Sequence, residues 1–408
     1  MKKIILSAIC LYLNFNIQAQ LQVKCGNVDL DNYIRNNPAA YKQMDYNKSA
    51  ITDFLNNSDK LRAAATATYI IPVVFHVFAD NASTLVPMSQ IISGLDKLNE
   101  DFNGLNPDHS TIDPEFAPIA SSFSIQFVLA AKDTNGNATT GVTYHPVQSG
   151  FGASFTNDAI VKTFAWNNYK YMNIYIMNDL MGDGVTNNSG VGFPPNDYMS
   201  TNGTARVAYN YRYLGSGGSS FVSNGTASEE FQSVLTHEYG HWLNLGHTFG
   251  ADCTDNDGIT DTPPSDVAGG GCGPNAVHCG GNINGENYMD YNSSCYKMFT
   301  QGQVNMMLTA LQLPSRFPLW QQSNLIATGV VPAGINENIA VRDFSYTIRD
   351  NALYSDADKI ILYNLMGQTV SEKDKGNPLS LKELNSGVYI VLLGKGNVQQ
   401  FHKIIIAQ

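Results

Sequence analysis

Residues 237–247 read HEYGHWLNLGH, and the spacing inside this stretch constrains everything around it. His237 and His241 are four apart, so on an α-helix they share one face, with Glu238 beside them. His247 lies six residues further on, beyond what a straight helix brings to the same point, so the chain must turn near Asn244. Such a stop uses a left-handed backbone conformation, which glycine adopts freely and asparagine tolerates next best. Three imidazoles converging on one point form a ligand set for zinc, and a neighbouring carboxylate is placed to handle protons. HExxH alone also arises on ordinary helices, where buried histidines merely hydrogen-bond. The third histidine favours the metal.

These residues carry a resemblance to the pappalysin (cytophagalysin) family of metzincin zinc metalloproteases. The family motif HExGHxLGLxHTF reads HEYGHWLNLGHTF here, matching Gly240, Leu243, Leu245, Thr248 and Phe249 as well as the ligands; Asn244 departs from the family glycine. A family-like FTxGQ follows as Phe299, Thr300, Gly302 and Gln303, and IPVVFHVFAD at 71–80 with SQIISGLDKLNEDFN resembles the first strand and its backing helix. The likeness spans residues 66–318 and implies a mixed α/β (α+β) catalytic domain. It implies a zinc-dependent endopeptidase in which His237, His241 and His247 hold zinc and Glu238 is the general base. By the same resemblance Tyr291 stands near the metal to bind the oxyanion, and Met289 is structural. The alternative, from another class, is a surface-binding protein on a catalytically weakened protease fold, and Asn244 is its main support.

The N-terminus, MKKIILSAICLYLNFNIQAQ, has two lysines, a short apolar run and a small residue at Ala19, the pattern of a signal peptide over 1–19. No other segment approaches a membrane span, so the product is expected outside the cytoplasm. A net charge of −11 argues against nucleic-acid partners, whose phosphates it would repel. Beyond the signal peptide, Cys253, Cys272, Cys279 and Cys295 cluster after the histidines. Disulfides suit an oxidising compartment, and a four-cysteine zinc site lacks its CxxC units here. Three connectivities are open to the sequence; the family pattern implies Cys253 with Cys279 and Cys272 with Cys295. Cys25 is left over, ahead of a polar stretch that reads as a propeptide over 20–65, and its thiolate could ligate zinc in a latent zymogen. The loop DCTDNDGITDTPP offers hard oxygens suited to calcium without being an EF-hand, and the resemblance points to Asp257 and Thr262 as ligands.

Apolar runs at 71–78, 124–130 and 172–177 read as strands and 88–103 as a helix. ARVAYNYRYLG at 205–215 is a candidate edge strand, which by the resemblance would take substrate as an added strand, whereas MGDGVTNNSGVGFP at 181–194 shows no clear element and could hold a second cation or shape the cleft. The resemblance implies that the segment NSSCYKMF after Met289 walls the pocket for the residue following the scissile bond. It has no carboxylate between Asn292 and Phe299, and Tyr296 and Lys297 speak against a strong preference for Arg or Lys there. Residues 319–334 read as a linker, and 335–408 as a small all-β sandwich. Its YNLMGQ, LNSGVYIV and terminal KIII resemble the sorting domain of type IX secretion, which implies that machinery as a partner and a secreted or surface-attached product.

Overall fold

YIIPVVFHVF at 69–78 is apolar at nearly every position, as a parallel strand covered on both faces requires, and all ten residues are buried. The computed structural model describes residues 34, 37–80, 85–152, 157–215, 232–273, 276–330, 346–363, 369–374, 378–395 and 398–406. In it this strand, β1 (Tyr69–Phe78), organises a six-stranded sheet with β2 (Ile125–Leu129), β3 (Val142–His145), β4 (Met172–Met177), β5 (Gly190–Gly192) and β6 (Val207–Asn210). The order is β2-β1-β4-β6-β5, with β3 pairing to the second half of β1; all pairs are parallel except β5 against β6.

Two helices, α1 (Pro38–Leu55) and α2 (Ser58–Ala65), precede the sheet, and α3 (Met88–Phe102) backs it. The latter buries Ile91, Leu95, Leu98 and Phe102, the three- and four-residue spacing of an amphipathic helix. Short helices α4 (Asp158–Phe164) and α5 (Asp197–Thr201) sit in the crossovers, and α6 (Val234–Trp242) carries the first two histidines. Among the described residues from 243 to 298 long elements are lacking, and the disulfides Cys253–Cys279 and Cys272–Cys295, the pairing that the resemblance implied, cross-link this stretch. Next comes α7 (Gln301–Ala310), whose Thr300 and Gln303 form a reciprocal capping box.

Two expectations need correcting here. The segment 205–215 is not at the edge: β6 lies between β4 and β5, and the edge strand is β5, inside the stretch that showed no element. Periodicity could not find β5 because two of its three residues are glycines. Likewise, the supposed linker from 319 is folded through its first half. Leu319 and Leu325 are buried, helix α8 (Gln322–Thr328) packs on β1, and Trp320 meets the Tyr69 ring edge-on at 5.1 Å. Turn-rich sequence from Gly329 onward, rather than Leu319, marks the end of this body.

The C-terminal strands are β7 (Tyr346–Arg349), β8 (Ala352–Ser355), β9 (Lys359–Tyr363), β10 (Thr369–Asp374), β11 (Leu379–Ser380), β12 (Gly387–Lys395) and β13 (Val398–Ile406). They form a three-stranded sheet, β7-β8-β11, and a four-stranded antiparallel sheet, β10-β9-β12-β13. Leu353 and Leu379 of the first share a core with Leu362, Val391, Leu393 and Ile404 of the second, the arrangement of a sandwich. Among the described residues no helix is long and apolar enough to cross a membrane.

Candidate metal centre and cleft

α6 ends where the sequence requires it to. Asn244 has φ 73°, its N–H bonds the His241 carbonyl at 2.9 Å, and the Leu245 N–H bonds the Gly240 carbonyl at 2.9 Å. These two bonds make a Schellman stop with Asn244 in the left-handed position. The chain then returns His247 to the other histidines: Nε2 of His241 lies 3.1 Å from Nε2 of His237 and 3.1 Å from Nε2 of His247.

The outward ring nitrogens fix the tautomers. Nδ1 of His237 is 2.6 Å from the Tyr288 carbonyl, and Nδ1 of His241 is 2.8 Å from the Leu245 carbonyl. A carbonyl only accepts, so both rings carry their hydrogen on Nδ1 and present bare Nε2 lone pairs to each other. Two lone pairs at that distance repel unless a cation lies between them. Nitrogens 2.0–2.1 Å from a tetrahedral zinc would stand about 3.3 Å apart, so the donor set fits such an ion. Burial lowers all three imidazole pKa values, that of His237 to about 4 against the opposing pull of the Tyr288 carbonyl. For His241 and His247, burial is joined by the neighbouring histidines. All three rings are thereby neutral and ready to ligate.

Packing around the histidines accounts for several motif residues. A Cβ at Gly240 would stand 2.3 Å from the Met289 sulfur, so the glycine lets Met289, fully buried, seat against the helix that carries His237 and His241. Phe249 stacks on His247 at 4.7 Å, and Tyr291 meets the same ring edge-on at 4.9 Å. Gly302 abuts Asp261, whose carboxylate accepts from Thr300 Oγ1 and the Gly302 N–H; a Cβ there would be 2.5 Å from Asp261 Oδ1.

Five features escaped sequence reasoning. Glu238 is wholly buried, and Cβ atoms at Gly190 and Gly192 would come within 2.4 Å of its Cγ and 2.1 Å of its carbonyl oxygen. The edge strand therefore approaches α6 as closely as backbone can, and the G-V-G spacing at 190–192 was the available signal. Arg316, also buried, donates to the carbonyls of Trp242 and Phe193 and lies over the Trp242 ring at 4.1 Å, joining the end of α6 to the chain just past β5. The loop at 178–188 turns its carbonyls onto a protein donor: Asn210 Nδ2 is within 3.1 Å of the carbonyls of Asn178, Thr186 and Asn188, where a second cation had been considered. Lys297 forms an ion pair with Glu286 instead of entering the cleft as a free cation. Tyr296 donates to the Asp290 carbonyl.

Asp257 and Thr262 do come together, with Thr262 Oγ1 donating to Asp257 Oδ1 at 2.6 Å. Asp257 Oδ2 is buried without a hydrogen-bond partner, and burial lifts that carboxyl to about 6. Cys25 lies outside the described residues. α1 straddles the cleft, against α5 on one side and α7 on the other. A cavity of about 350 Å3 remains beneath it, lined by Met44, Lys48, Pro194, His241 and His247 among others.

Comparison with known proteins agrees with this geometry. The M43 peptidase family, described as pregnancy-associated plasma protein-A, matches residues 155–312, and the secretion system C-terminal sorting domain matches residues 340–407. Mature mirolysin of Tannerella forsythia in complex with a cleaved peptide is 32% identical, with a TM-score of 0.54 covering 64% of this chain and 99% of that one. A promirolysin mutant of the same organism is 29% identical, with a TM-score of 0.57 over 74% of this chain and 98% of its own. An extracellular metalloprotease of Neurospora crassa is 29% identical over 248 residues, 60% of this chain and 75% of the relative.

Proposed function

We propose that this chain, which belongs to the pappalysin family of metzincin metalloproteases and ends in a type IX sorting domain, is a secreted zinc endopeptidase made as a latent zymogen. The observation that carries the reading is the trio of Nε2 atoms, two of them bare lone pairs held 3.1 Å apart by hydrogen bonds on the far side of each ring.

His237, His241 and His247 would hold zinc, and zinc when bound supplies a Lewis acid and lowers the pKa of water toward neutrality. Glu238 serves as the general base, taking a proton from the attacking water and delivering it to the leaving amine. Its wholly buried position beside glycine-only backbone keeps bulk water from solvating the carboxylate. Tyr291, edge-on to His247, is the candidate donor to the oxyanion. The bonds to the Tyr288 and Leu245 carbonyls orient the ligands as outer-shell partners do. Asp257 and Thr262 would hold calcium, and the unpartnered buried Asp257 Oδ2 supports that site.

Latency is supported by α1 across the cleft and by the similarity to promirolysin. Cys25 is nine residues before Ile34, a span of up to about 30 Å when extended, enough to bring its thiolate to the cavity beside His241 and His247. The propeptide would then end within 20–65, near the exposed Lys60 and Arg62 of α2. Lys297 is paired with Glu286, and the segment 292–299 carries no carboxylate for an Arg or Lys side chain.

The test is metal content and casein cleavage by the full chain after activation, beside Glu238→Ala and a chelated sample. One zinc per chain in both proteins is expected, with activity in Glu238→Ala reduced about 100- to 10,000-fold. Cys25→Ala should hydrolyse casein without activation; unchanged latency would remove Cys25 from the mechanism. The binding-protein alternative lost its main support with Asn244, which makes the required turn.

A further inference from the structure

The N-terminal helix does more than cover the cleft; it pairs with one main-chain carbonyl and one side-chain amide beside it. Asn47 Nδ2 donates to the Pro195 carbonyl at 2.7 Å, and the Asn196 side chain donates to the Ala40 carbonyl at 3.0 Å. Both asparagines are buried, Asn196 wholly so, and Asn196 Oδ1 separately caps α5 by accepting from the Met199 N–H at 3.1 Å. The side chain of Ala40 is fully buried among Val191, Phe193, Met199 and Ala205. Beside this contact lies the cavity that reaches from Pro194 and Pro195 to His241 and His247. None of residues 292–298, the expected wall for the residue after the scissile bond, lines it.

We propose that, once the helix leaves, the Pro195 carbonyl and Asn196 Nδ2 bind the main chain of the substrate before its scissile bond, over an apolar wall that selects an aliphatic side chain there. The inference rests on the endopeptidase reading. A peptide group carries one donor and one acceptor, which is what an exposed carbonyl and a side-chain amide N–H can pair with. The helix presents the same set, one N–H and one carbonyl, together with an apolar side chain at Ala40. Departure of the helix leaves those groups to water, and a substrate main chain that displaces the water restores the pairing that the helix made.

The test uses the activated full chain and two fluorogenic peptides that share the residues after the cleaved bond, one with three residues before it and one with a single residue. Asn196→Asp keeps the oxygen that caps α5 and removes the donor. It should raise KM about tenfold on the longer peptide, leave kcat and the short peptide unchanged, and speed prosegment release in the proform. Independently, an ester scanned through the three positions before the bond removes the N–H aimed at the Pro195 carbonyl. It should raise KM of the wild type about tenfold at one position, and Leu at the wall should be preferred to Asp. Equal KM values for Asn196→Asp and wild type on the longer peptide, or an ester scan without effect, would overturn the proposal. If the activated wild type cleaves neither peptide nor casein while holding zinc, the endopeptidase reading falls and takes this inference with it.

Discussion

At the scale of single residues, the departure from the family glycine is the most informative position. Asn244 sits at φ 73°, where a β-branched side chain would meet the backbone, at a cost of about 1–2 kcal/mol. Asn244→Gly should therefore keep full zinc affinity and activity. Asn244→Val should lower the melting temperature and weaken zinc binding, as His247 loses its approach; calorimetry and competition with a chromogenic chelator would measure both. Equal zinc affinity in the valine variant would show that His247 is positioned by other contacts. Gly240 has a different constraint, since its φ is ordinary and only the Met289 sulfur at 2.3 Å from a built Cβ forbids a side chain. The motif letter was legible in the sequence, while its cause, a residue 49 positions later, was not.

At the scale of elements, the relation between β5 and α6 decides whether a site exists. Two glycines let the edge strand lie against Glu238, and Arg316 joins the end of α6 to the chain beyond β5. Gly192→Ala would place a methyl within 2.1 Å of the Glu238 carbonyl oxygen, pushing strand and helix apart. Loss of kcat with zinc still bound is the expected result, read from turnover and metal analysis on the same sample; full activity would mean that the strand relaxes freely. The irregular stretch after α6 depends on covalent support. Replacing Cys253 and Cys279 together by Ser opens a loop with a sequence separation of 26 and should cost about 3–4 kcal/mol, measured by denaturant unfolding.

At the scale of the whole molecule, a buried histidine outside the site contributes to acid sensitivity. His76 is fully buried on β1, with Nε2 3.0 Å from Asn173 Oδ1 and Nδ1 2.9 Å from Thr143 Oγ1, and burial lowers its pKa to about 3. The unfolded chain takes up this proton near pH 6.5 and the folded one only near 3, so the contribution is intact above pH 6.5 and lost as pH falls from there toward 3. Between pH 7 and 4.5 the loss from this group should be about 2–3 kcal/mol, and His76→Gln should flatten the urea midpoint over that range relative to wild type. An unchanged slope would place the acid sensitivity elsewhere. The same distinction separates what the chain's letters determined from what its folding decided. Sequence alone determined the ligand helix, its stop at Asn244, the central strands and the sorting-domain strands, because each is a local pattern of spacing, turn chemistry or apolar periodicity. Only the tertiary structure decided that 190–192 is the edge strand, that 319–330 belongs to the catalytic body, that Lys297 is paired with Glu286, and that Ala40 and Asn47 cover Pro195 and Asn196. Each of those is a contact between residues far apart in the chain, settled by which buried polar groups find partners and which backbones can approach, and such contacts leave no periodic trace in the order of residues.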